Sequence, residues 1–312
     1  MGKKIAIVGL GGIARKGYLP ILSAYDGIDL LLYNRSPEPL HEIQSRYRIA
    51  HGTTNLDEVI DSKPNAAFVL TSTTSHFSIV KLLLENDIDV FVEKPATLHS
   101  WETKELAALA DQRARVLMVA FNRRFAPLHV KAKQAWGSAP VGMGVFTKFR
   151  PNASHPNLEH QLIDDIIHQI DALRFFCGEG KAVSTTHQSL PDKLLGAVCV
   201  VKLDQGGMGI IQTQLQAGQW QERYYLLGGQ QTLEIDAFSK VRFTTGGEHQ
   251  VWQAPYASSW QTTLYGRGFV GQIEHFFSCV DTRSQPLTSG WDSVKTQILA
   301  EEIIKLGQDQ PQ

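Results

Sequence analysis

The sequence predicts two folded units in series. The first is a doubly wound α/β domain on a parallel sheet. The second is an α+β domain whose large, mostly antiparallel sheet is covered by helices on one face. Three observations predict this. Short apolar runs alternate with helical stretches up to about residue 121. Beyond residue 125, strand-like runs follow one another across short Gly- or Asp-containing turns. The chain of 312 residues also exceeds the usual span of one hydrophobic core. The boundary is placed between 1–121 and 122–312.

The first strand, Lys4 to Val8, runs into Gly9-Leu10-Gly11-Gly12-Ile13-Ala14. This fits the pattern G-x-G-x-x-G/A. Its first small residue makes a tight turn, its second lets backbone approach a pyrophosphate, and its third lets helix pack on strand. A helical stretch from Ala14 to Ala24 follows, and its amino terminus suits phosphate. This is how a Rossmann dinucleotide domain opens. The second strand, Ile28 to Tyr33, ends at Asn34-Arg35-Ser36. An NAD enzyme usually offers an acidic side chain here to the ribose 2′-hydroxyl. Asn34 removes a carboxylate that would repel a 2′-phosphate, and Arg35 and Ser36 add donors. NADP(H) is therefore favoured, with NAD(H) the alternative. Read as a bare polar turn before Pro37, the three residues carry no preference.

A third apolar run, Ala66 to Leu70, leads into Thr71-Ser72-Thr73-Thr74-Ser75-His76, and a helix spans Phe77 to Asn86. Asp89 to Val92 is the next buried strand, followed directly by Glu93-Lys94-Pro95. Parallel strands deliver ligand-contacting residues at their carboxyl ends, so Lys94 falls on the ligand side and Pro95 fixes the backbone as the chain turns away. The expected cofactor residues are Gly9, Gly11, Gly12, Ile13, Ala14, Asn34, Arg35, Ser36, Thr71, Thr73, His76, Glu93 and Lys94. His76 has two readings, one beside the nicotinamide and one as a helix cap. A helix from Trp101 to Arg113 and a strand from Ala114 to Ala120 complete the domain.

After Asn122-Arg123-Arg124-Phe125 and a helix at Leu128 to Trp136 come seven strand-like runs between Val141 and Thr245. Helices are expected at Leu158–Phe176, Phe269–Thr282 and Trp291–Leu306. A sheet covered on one face leaves the other to a second copy, which predicts a homodimer or homotetramer. On the first of these helices Asp164 and His168 stand four apart and share a face, which Asp171 continues. A carboxylate beside an imidazole is a proton-handling pair. His160, Asp164 and His168 also form a stripe of potential divalent-ion ligands. Its ends lie about 12 Å apart along the axis, so no metal is expected. Arg123 and Arg124 either reach a substrate carboxylate or phosphate or line a solvated domain junction. Trp220, Trp260 and Tyr265 could stack on a sugar ring or pack in the core.

A formal net charge of −1 gives no electrostatic case for binding nucleic acid or anionic membrane. Three dispersed cysteines (Cys177, Cys199 and Cys279) read as buried free thiols of a reducing compartment. Lys3-Lys4 before an apolar stretch has the outline of a secretory signal. Three glycines cut that stretch and Arg15-Lys16 follows it, so a cytoplasmic location is expected. No segment approaches the roughly 20 apolar residues of a membrane helix.

Four motifs in order (Gly9-x-Gly11-x-x-Ala14, Glu93-Lys94-Pro95, Phe121-Asn122-Arg123-Arg124-Phe125 and Asp164-x-x-x-His168) resemble those of the Gfo/Idh/MocA oxidoreductases. These include glucose–fructose oxidoreductase and inositol dehydrogenase. Thr73-Thr74-Ser75-His76-Phe77, Leu162-Ile163-Asp164-Asp165 and Arg267-Gly268-Phe269-Val270-Gly271 look like the MviM-type branch. Many relatives have glycine two before the histidine, where this chain has Ile166. The resemblance implies an NAD(P)-dependent dehydrogenase or reductase of sugars, cyclitols or related polyols, with Lys94, Asp164 and His168 as the catalytic group. The second function class is a non-catalytic NAD(P)-binding regulator of the same fold. Retention of all three residues favours the enzyme.

Overall fold

A computed structural model describes residues 2–153, 155–255 and 260–309. They divide into two compact units: Met1–Ala120 with Phe269–Lys295, and Phe121–Gly268 with Thr296–Gln312.

The first unit is a parallel sheet of six strands: β1 (Lys3–Val8), β2 (Ile28–Tyr33), β3 (His51–Thr53), β4 (Ala66–Val69), β5 (Asp89–Val92) and β6 (Leu117–Val119). Their order is β3-β2-β1-β4-β5-β6. The chain reverses its winding between β1 and β4, and in such sheets ligands bind outside the carboxyl ends of the strands at this reversal. Burial explains the apolar runs, since every residue of β4 and β5 is buried. The helix Pro37–Tyr47, strand β3 and the helix Leu56–Asp61 lie in a stretch whose strand is too short and exposed to show a period.

The sequence boundary at 121/122 misses one return. Phe269–Lys295 belongs to the first unit because Phe276 and Phe277 pack on Phe68, with ring centroids 5.3 and 5.8 Å apart. Arg283 also reaches the fully buried carboxylate of Asp89 at 2.8 Å. A helical period records that a face is buried, not which sheet buries it.

The second unit is a sheet of eight strands. These are β7 (Met143–Phe149), β8 (Gly180–Leu190), β9 (Lys193–Leu203), β10 (Met208–Gln214), β11 (Gln221–Gly228), β12 (Gln231–Asp236), β13 (Lys240–Thr245) and β14 (Glu248–Gln253). They are ordered β14-β13-β12-β11-β7-β10-β9-β8, and every pairing is antiparallel except β7 with β10. The seven expected runs match β7 to β13, and β14 is the additional one. One face packs Phe146, Cys199, Ile211, Tyr224 and Leu226 against Leu173 and Phe176 of the helix Ile167–Cys177. The pleat sends Val200, Ile210, Val145 and Tyr225 to the other face, where their registers set them in one row. Tyr225 and Val198 on that face are 40% and 44% exposed, an apolar stripe of the kind that marks a contact surface.

The three cysteines are free and buried, and burial pushes the Cys177 and Cys199 thiols up to about 12. Among the described residues no helix is long and apolar enough to cross a membrane.

Candidate active site

In the first unit, the glycine loop between β1 and the following helical turns lines a cavity of about 610 Å³ at the carboxyl ends of the strands. Gly9 has φ +98°, and a Cβ there would lie 2.7 Å from Thr71 Cγ2 and 2.9 Å from Thr71 N, so only glycine fits. Gly11 and Gly12 face open space within 4 Å, which leaves room for a phosphate to approach backbone. Ala14 is fully buried, as the helix–strand packing role requires. The helix after the loop begins with a π-turn, Ala14–Tyr18, where the sequence alone suggests plain α-helix. Asn34, Arg35, Ser36 and Thr71 line the same cavity, as do Ser72, Thr74 and Ser75, whereas Thr73 does not. This set fits a dinucleotide. A second cavity of about 530 Å³ lies by the amino end of β6, at the opposite edge of the sheet, and is not this site.

Three expected cofactor residues have other partners. Asn34 Oδ1 accepts from Leu10 N at 3.3 Å and its Nδ2 donates to Ser36 O at 2.9 Å, so its amide braces the loop. Arg35 and Ser36 are left as the exposed donors of that turn. His76 is 1% exposed, with Nδ1 3.0 Å from Pro95 O and Nε2 3.1 Å from Thr71 O. It neither caps the helix nor stands open to a ring. It ties the carbonyl after β4 to the turn after Lys94. Burial, opposed by these carbonyls, lowers its pKa. Glu93 is buried too. Its carboxylate accepts from Tyr18 Oη at 2.6 Å and from Lys94 N at 3.0 Å, and burial raises its pKa. Glu93 therefore anchors the backbone of Lys94 and does not reach outward. Lys94 itself is half-buried, next to the end of β5, and the Lys94–Pro95 peptide is cis.

In the second unit, the expected helix at Leu158–Phe176 is broken by a π-turn, Leu162–Ile166, and continues as Ile167–Cys177. Such turns re-aim side chains and recur at functional sites. Asp164 is exposed and His168 half-buried, with the Phe121 and His168 ring centroids 6.3 Å apart in an edge-to-face arrangement. Ile166, where many relatives have glycine, is fully buried in the core. Asp165 turns inward to Lys148 (2.6 Å) and Arg150 (2.7 and 2.5 Å). Burial raises its carboxyl, but the two cations outweigh this and hold it well below the usual range. Lys148 is buried beside Arg123, and its ammonium is pushed down to about 8. Lys148 lies in no sequence motif and Asp165 lies in one that does not tell its partners, so only the tertiary fold reveals the pairing.

Arg123 and Arg124 are both 5% exposed. Arg123 makes a bidentate pair with Glu222 (2.6 and 2.8 Å), and Arg124 makes one with Asp171 (2.9 and 2.6 Å). The reading of these forks as substrate donors gives way to a structural one, since two buried carboxylates occupy them. Asp171, expected to continue the Asp164–His168 face, is likewise spent on Arg124. Gly268 (φ +83°) lets the chain pass the same turn, since a Cβ there would lie 2.1 Å from Asn122 O. Trp260 is fully exposed, and Trp220 and Tyr265 are 40% and 38% exposed, so none is a core residue.

A six-stranded doubly wound sheet with a glycine cradle at its reversal, joined to a second unit on a mostly antiparallel sheet, is the architecture of a two-domain dinucleotide-binding protein. The family model for Gfo/Idh/MocA, an oxidoreductase family with an NAD-binding Rossmann fold, matches residues 3–121. The YceM protein of Salmonella typhimurium is 32% identical over 96% of each chain. The solved structure of a dehydrogenase, MviM, from Clostridium difficile superposes with a TM-score of 0.89 at 25% identity, over 98% of this chain and 99% of that one. Inositol 2-dehydrogenase of Rhizobium meliloti is 24% identical over 77% of this chain and 78% of its own. This chain belongs to the Gfo/Idh/MocA oxidoreductase family.

Proposed function

We propose that the protein transfers a hydride between NADP(H) and a secondary alcohol or carbonyl of a sugar, cyclitol or related polyol. The observation that carries this reading is the placement of Lys94 at the carboxyl end of β5, on the same sheet edge as the glycine cradle. The inositol dehydrogenases among its relatives support the substrate class.

When bound, the dinucleotide supplies or accepts the hydride. Removing hydride from a secondary alcohol leaves a proton on oxygen, and the His168 imidazole, the side-chain type suited to moving protons near neutrality, takes it. Asp164 orients the imidazole. Lys94 donates a hydrogen bond to the reacting oxygen and stabilises developing alkoxide. Glu93 and His76 hold the turn that presents Lys94.

The cofactor preference is read by Arg35 and Ser36, whose donors suit a 2′-phosphate. NADPH is expected to bind more tightly than NADH in calorimetric titrations, and Asn34→Asp with Arg35→Ala to reverse the order. Equal affinities in the parent protein would remove this argument.

The apolar row Val200-Ile210-Val145-Tyr225 is proposed to bury against a second copy, giving a cytoplasmic homodimer or homotetramer. Ile210→Lys should shift sedimentation towards the monomer. An unchanged oligomer would place the interface elsewhere.

A further inference from the structure

The stripe His160-Asp164-His168 is too long for one ion, but the fold supplies a different third ligand. His155, in the segment before the helix, brings a ring nitrogen to the same place. One ligand atom each from His155, His160 and Asp164 lies within 4.8 Å of the others. Each is held by separate means. The carbonyl of His155 accepts from Leu194 N at 3.0 Å. The backbone N–H of His160 donates to the capping Asn157 Oδ1 at 2.9 Å. Asp164 stands on the π-turn. His155 is buried, whereas His160 and Asp164 are exposed, so the cluster has a solid floor and an open mouth.

We infer that His155, His160 and Asp164 form a three-ligand site for a transition-metal dication of the Zn²⁺ class, with its fourth position open to water or to an oxygen of a small molecule. Two imidazoles and one carboxylate are the donor set that borderline ions favour, and three protein ligands with one vacancy are the pattern of reactive rather than structural zinc sites. The spacing agrees. The two Nδ1 atoms are 2.9 Å apart. Nitrogens bound to zinc at about 2.0–2.1 Å stand about 3.3 Å apart at the tetrahedral angle, so the rings need part by only a few tenths of an ångström. Without metal, that 2.9 Å contact is a hydrogen bond whose proton shifts from Nδ1 to Nε2 of the same ring when the ion enters. The inference goes beyond the hydride-transfer reading and is tested without dinucleotide or substrate, so either can fail alone.

Metal-free protein titrated with Co²⁺ is expected to develop the intense visible absorption of a tetrahedral ion, saturating at one per chain and displaced by Zn²⁺. His160→Ala and Asp164→Asn should each weaken Zn²⁺ binding by roughly tenfold or more, as loss of a metal-site residue does. His168→Ala should leave it unchanged, which separates this site from the helical stripe. Both weakening substitutions are at exposed positions, and an unchanged melting temperature shows that the fold is kept. An octahedral Co²⁺ spectrum, or Zn²⁺ affinity unmoved by His160→Ala in a folded variant, overturns the inference.

Discussion

Lys94→Met is expected to lower turnover by roughly two to four powers of ten, the usual cost of removing a positioned electrostatic donor. Methionine keeps most of the apolar stem, so Glu93 should still anchor the backbone through its bond to Lys94 N. Cofactor affinity should therefore change far less than the rate. Steady-state kinetics beside calorimetry separates the two. A variant that loses dinucleotide binding and keeps its rate would assign Lys94 to the cofactor alone. Glu93→Gln serves as the comparison, because a change there acts on Lys94 through the position of its backbone and the neighbouring buried charge, not through the reacting oxygen.

Glu222→Ala is expected to destabilise the protein by about 3–5 kcal/mol, the cost of leaving one member of a buried ion pair alone. Glu222 is fully buried, accepts both hydrogen bonds of the Arg123 fork, and also accepts from Tyr224 Oη at 2.6 Å. Replacing both partners with apolar residues of similar volume should recover most of the loss, since the penalty comes from the orphaned guanidinium. The pair also predicts acid sensitivity. Burial raises the Glu222 carboxyl, but the Arg123 charge and hydrogen bonds outweigh this and take it down to about 2, from an ordinary 4.5. A carboxylate with a depressed folded pKa stabilises the fold above its unfolded value. That contribution is lost as pH falls from about 4.5 towards 2. Urea midpoints measured across that window should fall less in the doubly apolar variant than in the parent. Parallel slopes would place the acid sensitivity in other groups.

Local chemistry was legible where backbone conformation demanded it. Gly9 must be glycine at φ +98°, and the small residues of the loop are visible without any tertiary knowledge. Strand periods identified both sheets for the same reason, since apolar runs and alternation follow directly from burial. What the sequence hid was the choice of partner. Arg123 and Arg124 look like anion-binding forks until Glu222 and Asp171, 99 and 47 positions away, are folded against them. His76 and Glu93 lie in telling motifs, yet their side chains face backbone and Tyr18. His155 lies only five positions before His160, but an irregular segment has no period from which its direction could be read. The two π-turns were equally hidden, because each adds a residue to a helical turn without changing the polarity pattern.

The central claim is tested most directly by following the hydride. NADPH deuterated at the transferable C4 position is mixed with a panel of keto-cyclitols and keto-sugars, and products are read by mass spectrometry. Deuterium is expected on the former carbonyl carbon of at least one member of the panel, with no label transferred by either Lys94→Met or His168→Ala. Tight NADPH binding with no deuterium transferred across the panel would contradict it and leave a dinucleotide-binding protein without this chemistry.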